Sequence, residues 1–425
     1  MREDSALRDE GFGENTLFSR RRLLGMSAAA GLAAAGIGSL AGCGASQAMS
    51  QGGTDPQPAS SRLVAAPRPE GVLGANFNGD PRIMSFPELQ DVKATWVRGF
   101  FAMPDADKGN PADQPVIRAL LTAAGRGYGT VLSLKFPYNH QSIPTPDTPA
   151  MAEAQQRLDA VLPVVMNKVD ILAIGNEPFI ECGLKDRNSD QLNVFYETMA
   201  HRAIDYRRKQ FGSGSKTQLY MGALNHLDLQ EWRTAATERW MQFVRSTLSI
   251  GGTDIHPHLS DLGAGSSYLD YILPRMRPDQ KFLATEFSLV LFYKKHLTDA
   301  ISADFANRYH IPPGTPVWQV LKDALSHPFT QQKWDDFLSM SPWFADNKNF
   351  LRDQMDSFRA MGKLAVAAYG LGQDAAMSAD IGPGSTPWLL NSMFCQHTVQ
   401  PAKDGLPGQN IVWTDEFRSL QSRQR

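Results

Sequence analysis

The chain has almost no net charge: 42 basic side chains stand against 44 acidic ones over 425 residues. That removes the electrostatic basis for binding nucleic acid or another phosphate-rich partner. No Gly-x-Gly-x-x-Gly follows the first candidate strand, so a doubly wound dinucleotide-binding sheet lacks its marker. No repeat or low-complexity run occurs after Pro69. Also missing is a strongly apolar run of about 20 residues, the length a membrane-spanning helix needs. Cysteine is scarce, at Cys43, Cys182 and Cys395 only. An oxidising compartment would permit a bridge between the last two. Sequence cannot bring their Cα atoms within the roughly 7 Å that a disulfide demands, and two buried free thiols are the plainer expectation.

What is present starts with an amino-terminal address. SRRRLL at 19–24 opens an apolar stretch, rich in Ala and Gly, that runs to residue 40, and it resembles the twin-arginine export signal. LAGC at 40–43 resembles a bacterial lipobox, which would make Cys43 the lipidated first residue of the mature chain. An ordinary cleavage site followed by a chance cysteine is the alternative. Residues 1–42 are therefore read as a signal peptide and 43–69 as a flexible tether, with Ser, Pro, Gly and Gln prominent from 52 onward. The expected location is periplasmic or cell-envelope, with the membrane touched only through a lipid on Cys43.

Residues 70–425 are 42% hydrophobic like the chain as a whole, enough for one large catalytic domain. Short apolar runs alternate there with longer amphipathic segments, the pattern of βα units on a parallel sheet. Eight candidate strands fall at 72–77, 95–100, 130–136, 169–175, 218–224, 253–256, 282–285 and 364–369. Helical spacing links Val116, Leu120, Leu121 and Ala124, and again Leu192, Phe195, Tyr196, Met199 and Ala203, with Asn188 or Ser189 as a cap. Residues 151–166 and 231–248 also read as helices. Eight such units predict a closed α/β barrel, a (β/α)8 TIM barrel. A partly helical insert at 289–349 breaks the rhythm between strands seven and eight, and a stretch this long suggests a lid or a separate miniature core. Most of its aromatic residues are expected to pack on one another.

The chemistry gathers where apolar strands end on carboxylates. ILAIGNEP at 171–178 ends on Asn176 and Glu177, and FLATEFS at 282–288 reaches Glu286. In a barrel of parallel strands the carboxyl ends are where catalysis sits. Two carboxylates flanking a scissile bond are the minimum equipment for glycoside hydrolysis. Each glutamate alone could instead cap the helix that follows its strand.

On these residues the chain resembles the clan A glycoside hydrolases, the (β/α)8 superfamily of retaining cellulases, mannanases, xylanases and β-glycosidases. The resemblance covers roughly 72–369. It implies Glu177 as acid/base, Glu286 as nucleophile and Asn176 as a contact for the sugar 2-hydroxyl. It also implies Arg98, in WVRGF, as the arginine that orients the nucleophile and keeps it ionised, and His256 as a cleft histidine. Glu177 is expected to have a raised pKa, through burial or the second acid. Two departures stand out. Many members carry an aromatic hydroxyl two residues after that histidine, donating to the nucleophile, whereas this chain has His258, with Tyr268 and Tyr293 as other candidates. Members also often place a tryptophan on strand eight, where this chain offers Tyr369, or Trp388 from further on.

Asn76, Lys135, Tyr138, Asn139, His140 and Asn225 end strands one, three and five and are further candidate sugar contacts. Asp254, His256 and His258 share a short stretch, but without a partner cluster they are weak as metal ligands, so neither a metal nor another cofactor is expected. The reading is an exported retaining glycoside hydrolase, monomeric, acting on a β-linked polysaccharide or oligosaccharide. The alternative is a non-catalytic carbohydrate-binding or polysaccharide-assembly lipoprotein on the same scaffold.

Overall fold

The computed structural model describes residues 69–379 and 381–422. The expected signal at 1–42, Cys43 and all but the last residue of the tether lie outside the described residues. Eight parallel strands follow one another around a closed barrel: β1 (Val72–Asn76), β2 (Trp96–Ala102), β3 (Gly129–Lys135), β4 (Ile171–Ile174), β5 (Gln218–Asn225), β6 (Ile250–His256), β7 (Phe282–Ala284) and β8 (Leu364–Gly370). Closure comes from β8 on β1, in register from Val72↔Val366 to Asn76↔Gly370. Every predicted strand is present, with β6 starting three residues earlier than expected and β7 shorter than expected.

The alternation of side chains along each strand separates two apolar regions. Val131, Ile171, Ala173, Tyr220, Leu283, Ala365 and Val366 form one small buried cluster, the packed floor of the barrel, with Trp96 against it. Their neighbours Leu132, Leu172, Ile174, Leu219, Met221 and Ala367 belong to the large cluster shared with the surrounding helices. Arg98, Ser133 and Asp254 continue the inward-facing rows of β2, β3 and β6 and are buried. A barrel interior that is apolar below turns polar toward the carboxyl ends, where the loops meet.

The expected helices are found at Pro115–Gly125, Pro149–Val165, Asp190–Phe211 and Ala235–Ser246. The third is capped by Ser189, whose hydroxyl accepts from the Leu192 N–H at 3.3 Å. Between β7 and β8 the chain makes helices at Val290–Lys294, Ala303–Tyr309, Val317–Ser326, Gln331–Ser339, Pro342–Ala345 and Phe350–Ala360. Their aromatic residues mostly pack on one another: Tyr293 with Trp343 and Phe344, and Phe337 with Phe305 and Trp334. The helix Ile411–Ser422 seats Trp413 against Phe344, Phe350 and Tyr369. It is also tied to β1 by Gln421, which donates to the Leu73 carbonyl at 2.7 Å. Cys182 and Cys395 are buried free thiols. Among the described residues no helix is long and apolar enough to cross a membrane.

Candidate active site

Beyond β4 the backbone turns at Gly175, whose φ of +104° suits glycine and few other residues. Its carbonyl lies so close to Gly222 of β5 that a Cβ there would sit 2.5 Å from it. The Ala223 N–H donates to the Asn176 carbonyl at 2.9 Å. Two facing glycines thus let the strand tips meet, and that contact sets Asn176 and Glu177 over the polar end of the barrel. Across the barrel, β7 gives way to Thr285, Glu286 and Phe287. The β6–β7 pairing continues past both strands through Leu259 N–H to Ser288 carbonyl at 2.8 Å and Ser288 N–H to Pro257 carbonyl at 3.1 Å, which places His258 beside Ser288.

Glu177 and Glu286 come together. With His256 and His258, each offers one ligand atom, and the four atoms lie within 4.8 Å of one another. The Glu177 Oε1 accepts from Asn225 Nδ2 at 2.7 Å and from His256 Nδ1 at 3.1 Å. Glu286 Oε1 accepts from the Arg98 Nη1 at 2.5 Å. Arg98 is fully buried, and its fork also reaches Asn176 Oδ1 at 2.5 Å, Asn76 Oδ1 at 3.2 Å and Ser133 Oγ at 3.3 Å. A guanidinium this deep needs such partners, and it returns the favour by fixing a carboxylate and an amide at once.

The electrostatics follow from these contacts. Burial opposes a charge on Glu177, but the hydrogen bond from His256, followed by the positive charges of His256, His258 and Lys135, outweighs it and holds the carboxyl well below its ordinary range. The expected raised pKa is therefore reversed. Burial also opposes a charge on His256, yet Glu286, Asp254 and Glu177 around it push its pKa up to about 10. As an imidazolium, His256 donates from Nδ1 to Glu177 and from Nε2 to Thr285 Oγ1 at 2.9 Å, and the Thr285 hydroxyl donates in turn to Asp254. Every donor in that chain has an acceptor. Burial pushes His258 down; its Nδ1 lies 2.7 Å from Ser288 Oγ and its Nε2 3.8 Å from Glu286 Oε2.

The remaining expectations divide. Asn76 is buried and supports Arg98 and Asn78. Asn176 spends its oxygen on Arg98 and an N–H on Glu181 at 2.8 Å. Lys135 pairs with Glu181 at 2.6 Å; although burial opposes its charge, Glu181, then Glu177 and Glu286, raise its pKa. Asn139 is exposed and bonds the Ile180 carbonyl at 2.9 Å, away from both glutamates' hydrogen bonds. Trp388 meets His258 edge to face at 4.9 Å between ring centres, so it, and not Tyr369, reaches the site histidine. Tyr369 as a sugar contact is corrected: it is 1% exposed and packed on Phe287 and Trp413, because it shares the helix-facing phase of β8 with Ala367. Of the other hydroxyls, Tyr268 donates to the His256 carbonyl at 3.5 Å and the Tyr293 hydroxyl is buried without a partner; neither bonds Glu286. His258 faces Glu286 instead, at more than hydrogen-bond length.

Sequence reasoning missed Glu181, Ser133 and Thr285, and saw Asp254 only as a weak metal ligand. Their one local signal is position, four residues after Glu177 for Glu181 and one before Glu286 for Thr285.

No family model and no curated protein matches the sequence. Among solved structures the chain is similar to the exo-β-1,4-mannosidase Op5Man5 from Opitutaceae bacterium strain TAV5, at 12% identity and TM-score 0.45, covering 83% of this chain and 60% of that one. It is similar to a β-glucosidase from Exiguobacterium marinum at 9% identity and TM-score 0.45, covering 83% and 98%. A Streptomyces sp. SirexAA-E mannanase catalytic domain matches at 11% identity and TM-score 0.41, covering 83% and 88%. At such identities and superpositions the likeness carries no functional information.

Proposed function

We propose that the chain is a retaining glycoside hydrolase that cleaves β-linked polysaccharide or oligosaccharide by double displacement. One observation carries this reading. Glutamates ending β4 and β7, 109 positions apart in sequence, offer oxygens within 4.8 Å of one another at the carboxyl end of the barrel. Retaining enzymes space their carboxyl groups about 5–5.5 Å apart, and inverting ones leave room for a water between them.

In this reading Glu286 attacks the anomeric carbon, forming the C–O bond of a glycosyl ester as the leaving oxygen departs. Arg98 holds Glu286 oriented until it does so. The His256–Glu177 pair carries one proton between Nδ1 and Oε1. Passing that proton through Glu177 to the leaving oxygen leaves His256 neutral, and an attacking water restores it in the second half-reaction. Trp388 supplies an apolar wall beside His258. Location is part of the proposal and rests on the residues at 19–24 and 40–43: export by the twin-arginine route and a lipid on Cys43.

The test is a polysaccharide and aryl-glycoside panel followed by Glu177→Gln and Glu286→Gln, made separately on an active substrate. Each variant is expected to lose several orders of magnitude in kcat. A 2-fluoro glycoside is expected to add its sugar mass at Glu286. Undiminished hydrolysis in either variant would refute the assignment, and sugar binding with neither turnover nor adduct would favour the carbohydrate-binding alternative.

A further inference from the structure

We propose that Glu177, His256, His258 and Glu286 also form a binding site for one divalent transition cation of the Zn2+ class, and that the cation switches hydrolysis off. The binding rests on geometry and charge; the switching rests on the hydrolase reading above.

Four donors are already gathered. His256 Nδ1 lies 3.1 Å from Glu177 Oε1 and 3.9 Å from Glu286 Oε1, and His258 Nε2 lies 3.8 Å from Glu286 Oε2. Ligands held about 2.0–2.1 Å from a tetrahedral zinc are roughly 3.4 Å from one another. The four donor atoms lie within 4.8 Å of one another, so side-chain shifts of up to about 1 Å bring them to that spacing.

The outer contacts point the same way. In metal sites each ligating imidazole has its far nitrogen fixed by an oxygen, which decides the nitrogen presented to the ion. Here His256 Nε2 meets Thr285 Oγ1 at 2.9 Å, itself backed by Asp254, and His258 Nδ1 meets Ser288 Oγ at 2.7 Å. His256 Nδ1 and His258 Nε2 face the two glutamates, and the ion takes the place of the proton that His256 Nδ1 gives to Glu177. Arg98 bonds Glu286 through Oε1, leaving Oε2 for the ion.

Charge supplies a third argument. The carboxylates of Glu177, Glu181, Asp254 and Glu286 are joined in one network with only two permanent cations, Arg98 and Lys135. Once His256 gives up its Nδ1 proton to coordinate, two formal negative charges are left, and one divalent ion cancels them. Two imidazole nitrogens with two carboxylate oxygens suit zinc, copper, nickel or cobalt better than the all-oxygen shells of calcium and magnesium. His258 is decisive, because it supplies the second imidazole nitrogen beside the two carboxylates. An ion here would take lone pairs that Glu177 needs for its proton and Glu286 for attack.

The chelator-treated chain is titrated with ZnCl2 by calorimetry and with CoCl2 by visible absorption, which reports four-coordinate cobalt directly. One equivalent is expected to bind, with the intense visible bands of a tetrahedral ion. Ser288→Ala should weaken binding about 10–100-fold, the usual cost of an outer-shell partner, and His258→Phe by more. His327→Ala, at an exposed histidine paired with Asp323, should change nothing. No uptake at millimolar cation overturns the site, as does wild-type affinity in a His258→Phe chain whose circular dichroism is unchanged. Hydrolysis that continues with the cation bound overturns the switching. Uptake as described by a chain that hydrolyses no glycoside leaves the site standing and removes the hydrolase reading instead.

Discussion

Gly222→Ala is the sharpest probe of how the barrel positions Glu177. The new Cβ would sit 2.5 Å from both the carbonyl carbon and oxygen of Gly175 and 2.7 Å from its Cα. These are backbone atoms, so no side chain can swing aside. Reaching an ordinary contact of 3.4 Å moves the tips of β4 and β5 apart by about 0.9 Å, on the scale of the overpacking that costs roughly 1–3 kcal/mol. The shift passes directly to Asn176 and Glu177. Bonds to Glu177 of 2.7 Å from Asn225 and 3.1 Å from His256 would stretch toward or past the hydrogen-bond limit. Misplacing a reacting group by about 1 Å costs on the order of 10²-fold in rate. The expected result is a melting temperature lowered by a few degrees, measured by scanning calorimetry, with kcat/KM on an aryl β-glycoside down about a hundredfold. Gly125→Ala, where nothing lies within 4 Å of the new methyl, is the control and should leave both unchanged. A Gly222→Ala chain with wild-type melting and rate would refute the reasoning, and the melting result stands whatever the substrate.

Arg98→Met should be both inactive and destabilised by about 3–5 kcal/mol in urea melts, since it strands a carboxylate and two amides that shared one buried cation. Arg98→Lys should not restore activity, because a point charge cannot meet Glu286 and Asn176 from two nitrogens. His226→Asn tests a pH effect. Burial, helped by the charges of His258 and Arg187 against Glu177, lowers the His226 pKa from 6.5 to about 4. The unfolded chain therefore binds the extra proton between those values, so the contribution is intact above pH 6.5 and is lost as pH falls toward 4, by at most about 3 kcal/mol. Asn tolerates the φ of +52° at this position, and the variant's stability should fall less steeply than wild type between pH 7 and 4.5; parallel curves would contradict the assignment.

What the sequence could disclose was set by the length scale of each signal. A buried strand announces itself by an unbroken apolar run, and a site residue by ending that run, so Glu177 and Glu286 were both legible. Tyr369 was not, because LAVAAYG has no polar residue to mark which phase faces the cleft, and only barrel closure assigns it to the side of Trp413. Asn225 was named as a candidate, but its bond to Glu177 spans 48 positions, and the Thr285–Asp254 bond spans 31. Such pairs are consequences of strand order and register, which no local pattern encodes.

Register also explains why the two acids are held so differently. In the β1–β2 pair Asn76 sits opposite Arg98, and in the β5–β6 pair Asn225 sits opposite His256. Each pair therefore presents an amide beside a cation at the carboxyl end. The first serves Glu286: Arg98 bonds it while Asn76 steadies Arg98. The second serves Glu177, but there the amide bonds the acid itself and the cation is an imidazolium that can give its proton away. A guanidinium does not release a proton in this pH range, so the partner of Glu286 is a fixed charge. An imidazole partner can exchange a proton with Glu177, which is what the proposed acid/base role asks of it. Under the proposed mechanism, the division of labour between the glutamates would follow from which cation each strand pair carries.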